Sequence, residues 1–159
     1  MTIETTTDAD GDTARNLALL NYGLLFAAIF FAGVPALIAV IIAYAQRDAA
    51  PPPIRSHHQF QIKIFWVAFA MSLLAGVCVL GAVGSALSQF VAFTRDAGWD
   101  GLGAIEIDLS RLTVDGRSVA LGIAALVLGF LTTVWLIAAP AMGFIRLASA
   151  RGIGHSARP

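Results

Sequence analysis

Residues 64–94 read IFWVAFAMSLLAGVCVLGAVGSALSQFVAFT, 31 residues without one Asp, Glu, Lys, Arg or His. Two further stretches share that property: Leu17–Ala45, with 29 residues, and Ser118–Ile145, with 28. A helix needs about 20 apolar residues to cross the hydrocarbon core of a bilayer, so each stretch is long enough to span. Together they account for 88 of the 159 residues. A soluble fold would have to bury three long helices under almost no polar chain. The expected fold is therefore an all-α integral membrane protein with three transmembrane helices.

Composition agrees, with 58% hydrophobic and 13% charged residues and a mean hydropathy of +0.79. Ten basic and ten acidic residues cancel, which removes the global electrostatic case for a nucleic-acid partner. Cys78 is the only cysteine, so no disulfide can form within the chain, and a small apolar packing role is expected. The first sixteen residues are acidic, with Glu4, Asp8, Asp10 and Asp12 against Arg15. A secretory signal begins with a basic segment, so 17–45 is expected to be a retained helix. Residues 1–16 show no apolar periodicity and are expected to form a disordered acidic tail. Residues 17–145 form the expected membrane domain, and 146–159 a basic C-terminal tail.

Three crossings would put the N-terminal tail and loop 95–117 on one side, and loop 46–63 with the C-terminal tail on the other. The first pair carries Arg15, Arg95, Arg111 and Arg117 with nine acids; the second carries Arg47, Arg55, Lys63, Arg146, Arg151 and Arg158 with Asp48 alone. Lys and Arg favour the cytoplasmic face. The expected topology has the first loop and C-terminus in the cytoplasm and the N-terminus outside.

Local signals refine this plan. Gly33-Val34-Pro35 predicts a kink near the middle of the first span, because proline removes a backbone donor and clashes with the preceding turn. Two spans within 17–45 would need about 40 residues, so a hairpin of two crossings is excluded by length. Pro51-Pro52-Pro53 predicts a stiff, extended connection. Ser56 followed by Gln59 predicts a capped helix start, with His57–Gln61 and Gln59–Lys63 as i,i+4 pairs. Lys63 can snorkel while Trp66 sits at the interface. Between the second and third spans, Ile105, Ile107 and Leu109 alternate with Glu106, Asp108 and Ser110, predicting a short hairpin-like extramembrane loop. Small residues four apart, including Ser72 and Gly76, Ala125 and Gly129, and Ala139 and Gly143, predict close helix seams within the chain or with other membrane proteins.

Ile42-Ala43-Tyr44, Arg47, Ala50-Pro51, Arg55-Ser56-His57, Phe60-Gln61-Ile62 and Phe65-Trp66 carry a resemblance. Across roughly residues 20–70 the chain resembles small bacterial membrane proteins of unknown function, related to the chloroplast inner-envelope protein-import component. Trp135, Gly143 and Arg151-Gly152-Ile153 fit the closing pattern of that group more weakly. The resemblance implies a multi-pass protein of a bacterial inner membrane and a link to protein translocation. The chain departs from it at Ala139-Pro140, where the group carries a basic residue, and in the length of loop 95–117.

No catalytic, cofactor or metal site is expected. Adjacent His57 and His58 point about 100° apart on a helix and cannot chelate one ion together. Ser56 lacks the glycine-flanked nucleophile turn, no phosphate loop is present, and no span holds an ionisable group for intramembrane chemistry. Two functions stay open: a non-enzymatic scaffold or interaction subunit, and a pore or translocation component built from several copies or with partners. The residues expected to contact partners or the interface are Tyr44, Arg47, Arg55, His57, Gln61 and Lys63. Membrane lipid is the expected surrounding partner, with Arg47, Arg55 and Lys63 against anionic headgroups.

Overall fold

The computed structural model describes residues 4–96 and 115–149, all of them helix or short turn. Four helices follow in order: α1 Glu4–Ala27, α2 Val34–Arg47, α3 Pro52–Asp96 and α4 Gly116–Ala148. The strand pair expected at 105–114 and the tail from 150 onward lie outside the described residues. Helices α3 and α4 are long and apolar enough to cross a membrane, and few of their apolar residues are buried. A core helix of a soluble protein would instead hide most of its apolar surface.

The first expected span is not one helix. Helix α1 ends at Ala27, and tight turns carry the chain through residues 28–33 to Val34. Ala32 and Gly33 both have positive φ, at 48° and 82°. Such left-handed backbone reverses a chain and favours glycine. The proof of reversal is the hydrogen bond from Asn21 Nδ2 to the Ala39 carbonyl, 2.8 Å long across 18 residues of sequence. In a continuous helix those residues would stand about 27 Å apart. Pro35, expected to kink the middle of a span, occupies the first turn of α2, where its missing donor would have been unpaired anyway. The length argument failed because it required each arm to cross the bilayer. Each arm is shorter than a crossing: the apolar part of α1 (17–27) and the 14 residues of α2 reach only about 16 and 21 Å, against about 30 Å of hydrocarbon.

Two more expectations are corrected. Residues 4–16 continue α1 instead of forming a disordered tail; acids near a helix N-terminus favour its dipole. Helix α3 begins at Pro52 and not after Ser56, since prolines are tolerated in a first turn. Ser56 Oγ accordingly does not cap the helix but donates back to the Pro53 carbonyl at 2.6 Å.

The described chain divides into two compact units. The first comprises residues 1–70 and 131–159. Its α2 face is Ala36, Ala39, Val40 and Ala43, at i, i+3, i+4 and i+7, all buried. The opposing α1 face buries Ala18, Tyr22 and Leu25, and Ala28 follows in the turn. Alanines dominate this contact, and small side chains let two helix backbones approach closely. Ile64, Phe65, Ala139 and Leu147 complete the same core.

The second unit, 71–130, joins the second half of α3 to the first half of α4. Asp115 caps α4, its Oδ1 accepting from the Arg117 amide at 3.2 Å. A methyl group on Gly81 would lie 3.0 Å from Leu121 Cδ1, so this contact depends on the absent side chain. Large apolar side chains such as Leu80 and Leu126 point outward, 73% and 76% exposed.

Candidate functional site

Five buried polar side chains gather in the first unit: Asn21, Tyr22, His57, His58 and Gln61, each no more than 1% exposed. Asn21 and Tyr22 come from α1, and the other three from the first turns of α3. Buried polar groups cost stability unless hydrogen-bonded, so the pairing of each atom decides what the cluster can do.

Gln61 is the hub. Its Nε2 donates to the Ala18 carbonyl at 2.9 Å, which turns Oε1 toward the other partners. That oxygen accepts from Asn21 Nδ2 at 2.9 Å and faces His58 Nδ1 at 3.0 Å. An amide oxygen only accepts, so His58 carries its proton on Nδ1. Asn21 Nδ2 gives its second hydrogen to Ala39, tying α2 into the same knot. One amide group therefore binds two arms of the hairpin and the start of α3. Beside it, the Tyr22 hydroxyl and His57 Nδ1 are 3.0 Å apart, their rings edge to face. Among the described residues, only Asn21 Oδ1 and Ser118 Oγ are buried side-chain polar atoms without a hydrogen-bond partner.

Helix α4 joins through three contacts. Trp135 Nε1 donates to the Ile64 carbonyl at 3.2 Å. The Tyr22 ring and hydroxyl fill the space that a side chain on Gly143 would need. Arg15 donates to the Ala148 carbonyl at 3.1 Å, in the last turn of α4. Unpaired carbonyls at a helix C-terminus attract a cation, and a guanidinium supplies both charge and donors. This contact sets the middle of α1 beside the end of α4.

The six residues expected to act as a contact site fall into two groups. His57 and Gln61 are buried in the knot, where Gln61 Oε1 faces His58 Nδ1, three residues away. Tyr44, Arg55 and Lys63 are exposed, and Arg47 is partly so. Arg47 donates to both carboxylate oxygens of Asp48, at 3.1 and 3.4 Å, and stands 5.9 Å from the Tyr44 ring. That guanidinium holds the Asp48 carboxyl below the usual carboxylate range. Arg55 donates to the Asp48 backbone carbonyl at 3.0 Å, and Trp66 Nε1 donates to the Tyr44 hydroxyl at 3.1 Å. These bonds form a cationic rim over the junction of α2 and α3.

Asn21, Tyr22 and His58 were not among the expected site residues. Their signal was present: two polar side chains in an otherwise apolar stretch require partners, and Gln61 and the histidines lie in the polar entry to the next helix. Among the described residues, no group of three His, Cys, Asp or Glu side chains could hold a metal ion.

No family model, curated protein or solved structure matches this chain.

Proposed function

We propose that the chain is a non-enzymatic scaffold or interaction subunit of a bacterial inner membrane, with two crossing helices and one hairpin that enters and leaves by the same face. One observation carries this reading. The Gln61 amide, Asn21 Nδ2 and His58 Nδ1 are directed at one another and at helix carbonyls, binding α1, α2 and α3 together. Groups used this way hold elements in place, whereas a catalytic or conducting site needs polar atoms turned toward a substrate or a continuous path.

The hairpin also changes the sidedness expected from three crossings. The N-terminal arm, the 46–63 connection and the C-terminal tail then share a face, in keeping with the Arg15–Ala148 bond. That face holds Arg15, Arg47, Arg55, Lys63, Arg146, Arg151 and Arg158, against Arg95, Arg111 and Arg117 on the other. Seven basic residues to three is a stronger bias than six to four, and it assigns the shared face to the cytoplasm. The N-terminus is therefore proposed inside, the reverse of the three-span expectation.

The exposed rim of Arg47, Arg55 and Lys63 is the proposed contact surface. Crosslinking in native membranes followed by mass spectrometry tests this. Defined partners or self-contacts through the rim, lost in an Arg55→Gln, Lys63→Gln chain that still folds, support the scaffold. Recovery of secretion or insertion machinery would favour the translocation alternative.

A further inference from the structure

Between α1 and α4 in the first unit runs an apolar groove of about 270 Å³. Tyr22, Gly23 and Phe26 line it from α1, and Ala141, Phe144 and Ile145 from α4. Its lining has no charged side chain. Its end is different.

Arg15 precedes Tyr22 by seven residues, two turns along the same face of α1, and Ala148 follows Ala141 by seven along α4. The Arg15–Ala148 bond therefore marks one end of the groove, about 10 Å from Tyr22. Arg15 is exposed, and that bond engages one of its five N–H donors. From Arg15 to Phe26 the helix rises about 16 Å. Half of a bilayer's hydrocarbon core is about 15 Å. A cation at headgroup depth and a single-leaflet apolar slot below it match one chemical class.

We infer that this groove binds a phospholipid with an anionic headgroup, its phosphate against Arg15 and one acyl chain lying along Tyr22, Gly23 and Phe26. Arginine suits the role, because its planar fork pairs with phosphate while staying charged at any physiological pH. Gly23 gives the chain room: a Cβ built there meets nothing within 4 Å. The inference rests on the proposed embedding of the hairpin in lipid.

The test is native mass spectrometry of the full chain, released from detergent with dioleoyl phosphatidylglycerol or dioleoyl phosphatidylcholine. The chain should retain phosphatidylglycerol about fivefold better, the effect of one basic residue near an anionic headgroup. Gly23→Leu, which places a side chain in the groove at a position where a Cβ meets nothing within 4 Å, should lower retention of both lipids at least fivefold. Arg15→Gln should narrow the difference between the two lipids, lowering phosphatidylglycerol retention more than phosphatidylcholine retention. Unselective retention by the unaltered chain, retention indifferent to Gly23→Leu, or a lipid-free dimer covering the groove would each overturn the site. If any of these occurs while residues 12 and 149 still label from one face, the lipid site fails and the hairpin stands.

Discussion

The Tyr22 ring occupies the volume beside Gly143 that any larger residue there would need. Tyr22 in turn reaches His57 through its hydroxyl, so a glycine on α4, a tyrosine on α1 and a histidine on α3 are locked in sequence. Gly143→Ala should force the phenol out of place and destabilise the detergent-solubilised protein by about 1–3 kcal/mol, the usual cost of overpacking. Tyr22→Ala combined with Gly143→Ala should lose less than the sum of the two single changes, because the clash disappears. Thermal unfolding of the four chains measures this, and strict additivity would contradict the contact.

Gln61 should be the most sensitive polar position. Gln61→Leu leaves the Ala18 carbonyl without this donor, and Asn21 Nδ2 and His58 Nδ1 without their shared acceptor. Each stranded buried group costs about 1–3 kcal/mol in proteins, and less where lipid-embedded alternatives exist. The expected loss for Gln61→Leu exceeds that for Gln59→Leu, an exposed position two residues earlier. A double-mutant cycle between Asn21→Leu and Gln61→Leu should show a coupling of at least about 0.5 kcal/mol.

The turn makes opposite demands on neighbouring residues. Ala32 holds φ 48° with a Cβ, and Gly33 holds φ 82° without one. Left-handed backbone costs a non-glycine residue roughly 1–2 kcal/mol. Ala32→Gly should therefore be neutral or stabilising, since relief of strain offsets the added chain entropy. Gly33→Ala should destabilise by about 1 kcal/mol or more, although open space surrounds that position. Equal effects of the two substitutions on the unfolding midpoint would contradict the turn geometry.

Much of this arrangement was legible in the chain, and the failures are instructive. The charge-free stretches 64–94 and 118–145 fall inside α3 and α4, because length and absence of charge suffice to define a lipid-compatible helix. Residues 17–45 met the same criteria, yet those criteria count residues without asking whether the chain turns back. Pro35 is compatible with both a mid-span kink and a first helical turn, and the left-handed Ala32-Gly33 backbone with the Asn21–Ala39 bond separates the two. At the site, His57 and Gln61 stood out because they are polar at a membrane entry. The i,i+4 rule then paired them with each other, since local spacing cannot reveal partners such as Asn21, 40 residues away. Arg47 and Arg55 were grouped by charge alone. Their common attachment to Asp48, one through its carboxylate and one through its carbonyl, depends on the chain path between α2 and α3.

The central claim, that residues 17–45 return to the face they left, is tested by sided labelling in intact cells and inverted vesicles. In a Cys78→Ser background, Asp12→Cys and Ser149→Cys place single thiols at exposed positions flanking the hairpin and the end of α4. The account predicts that a membrane-impermeant maleimide reaches both thiols only in inverted vesicles. Labelling of Asp12→Cys from outside the cell, with Ser149→Cys protected there, would contradict it.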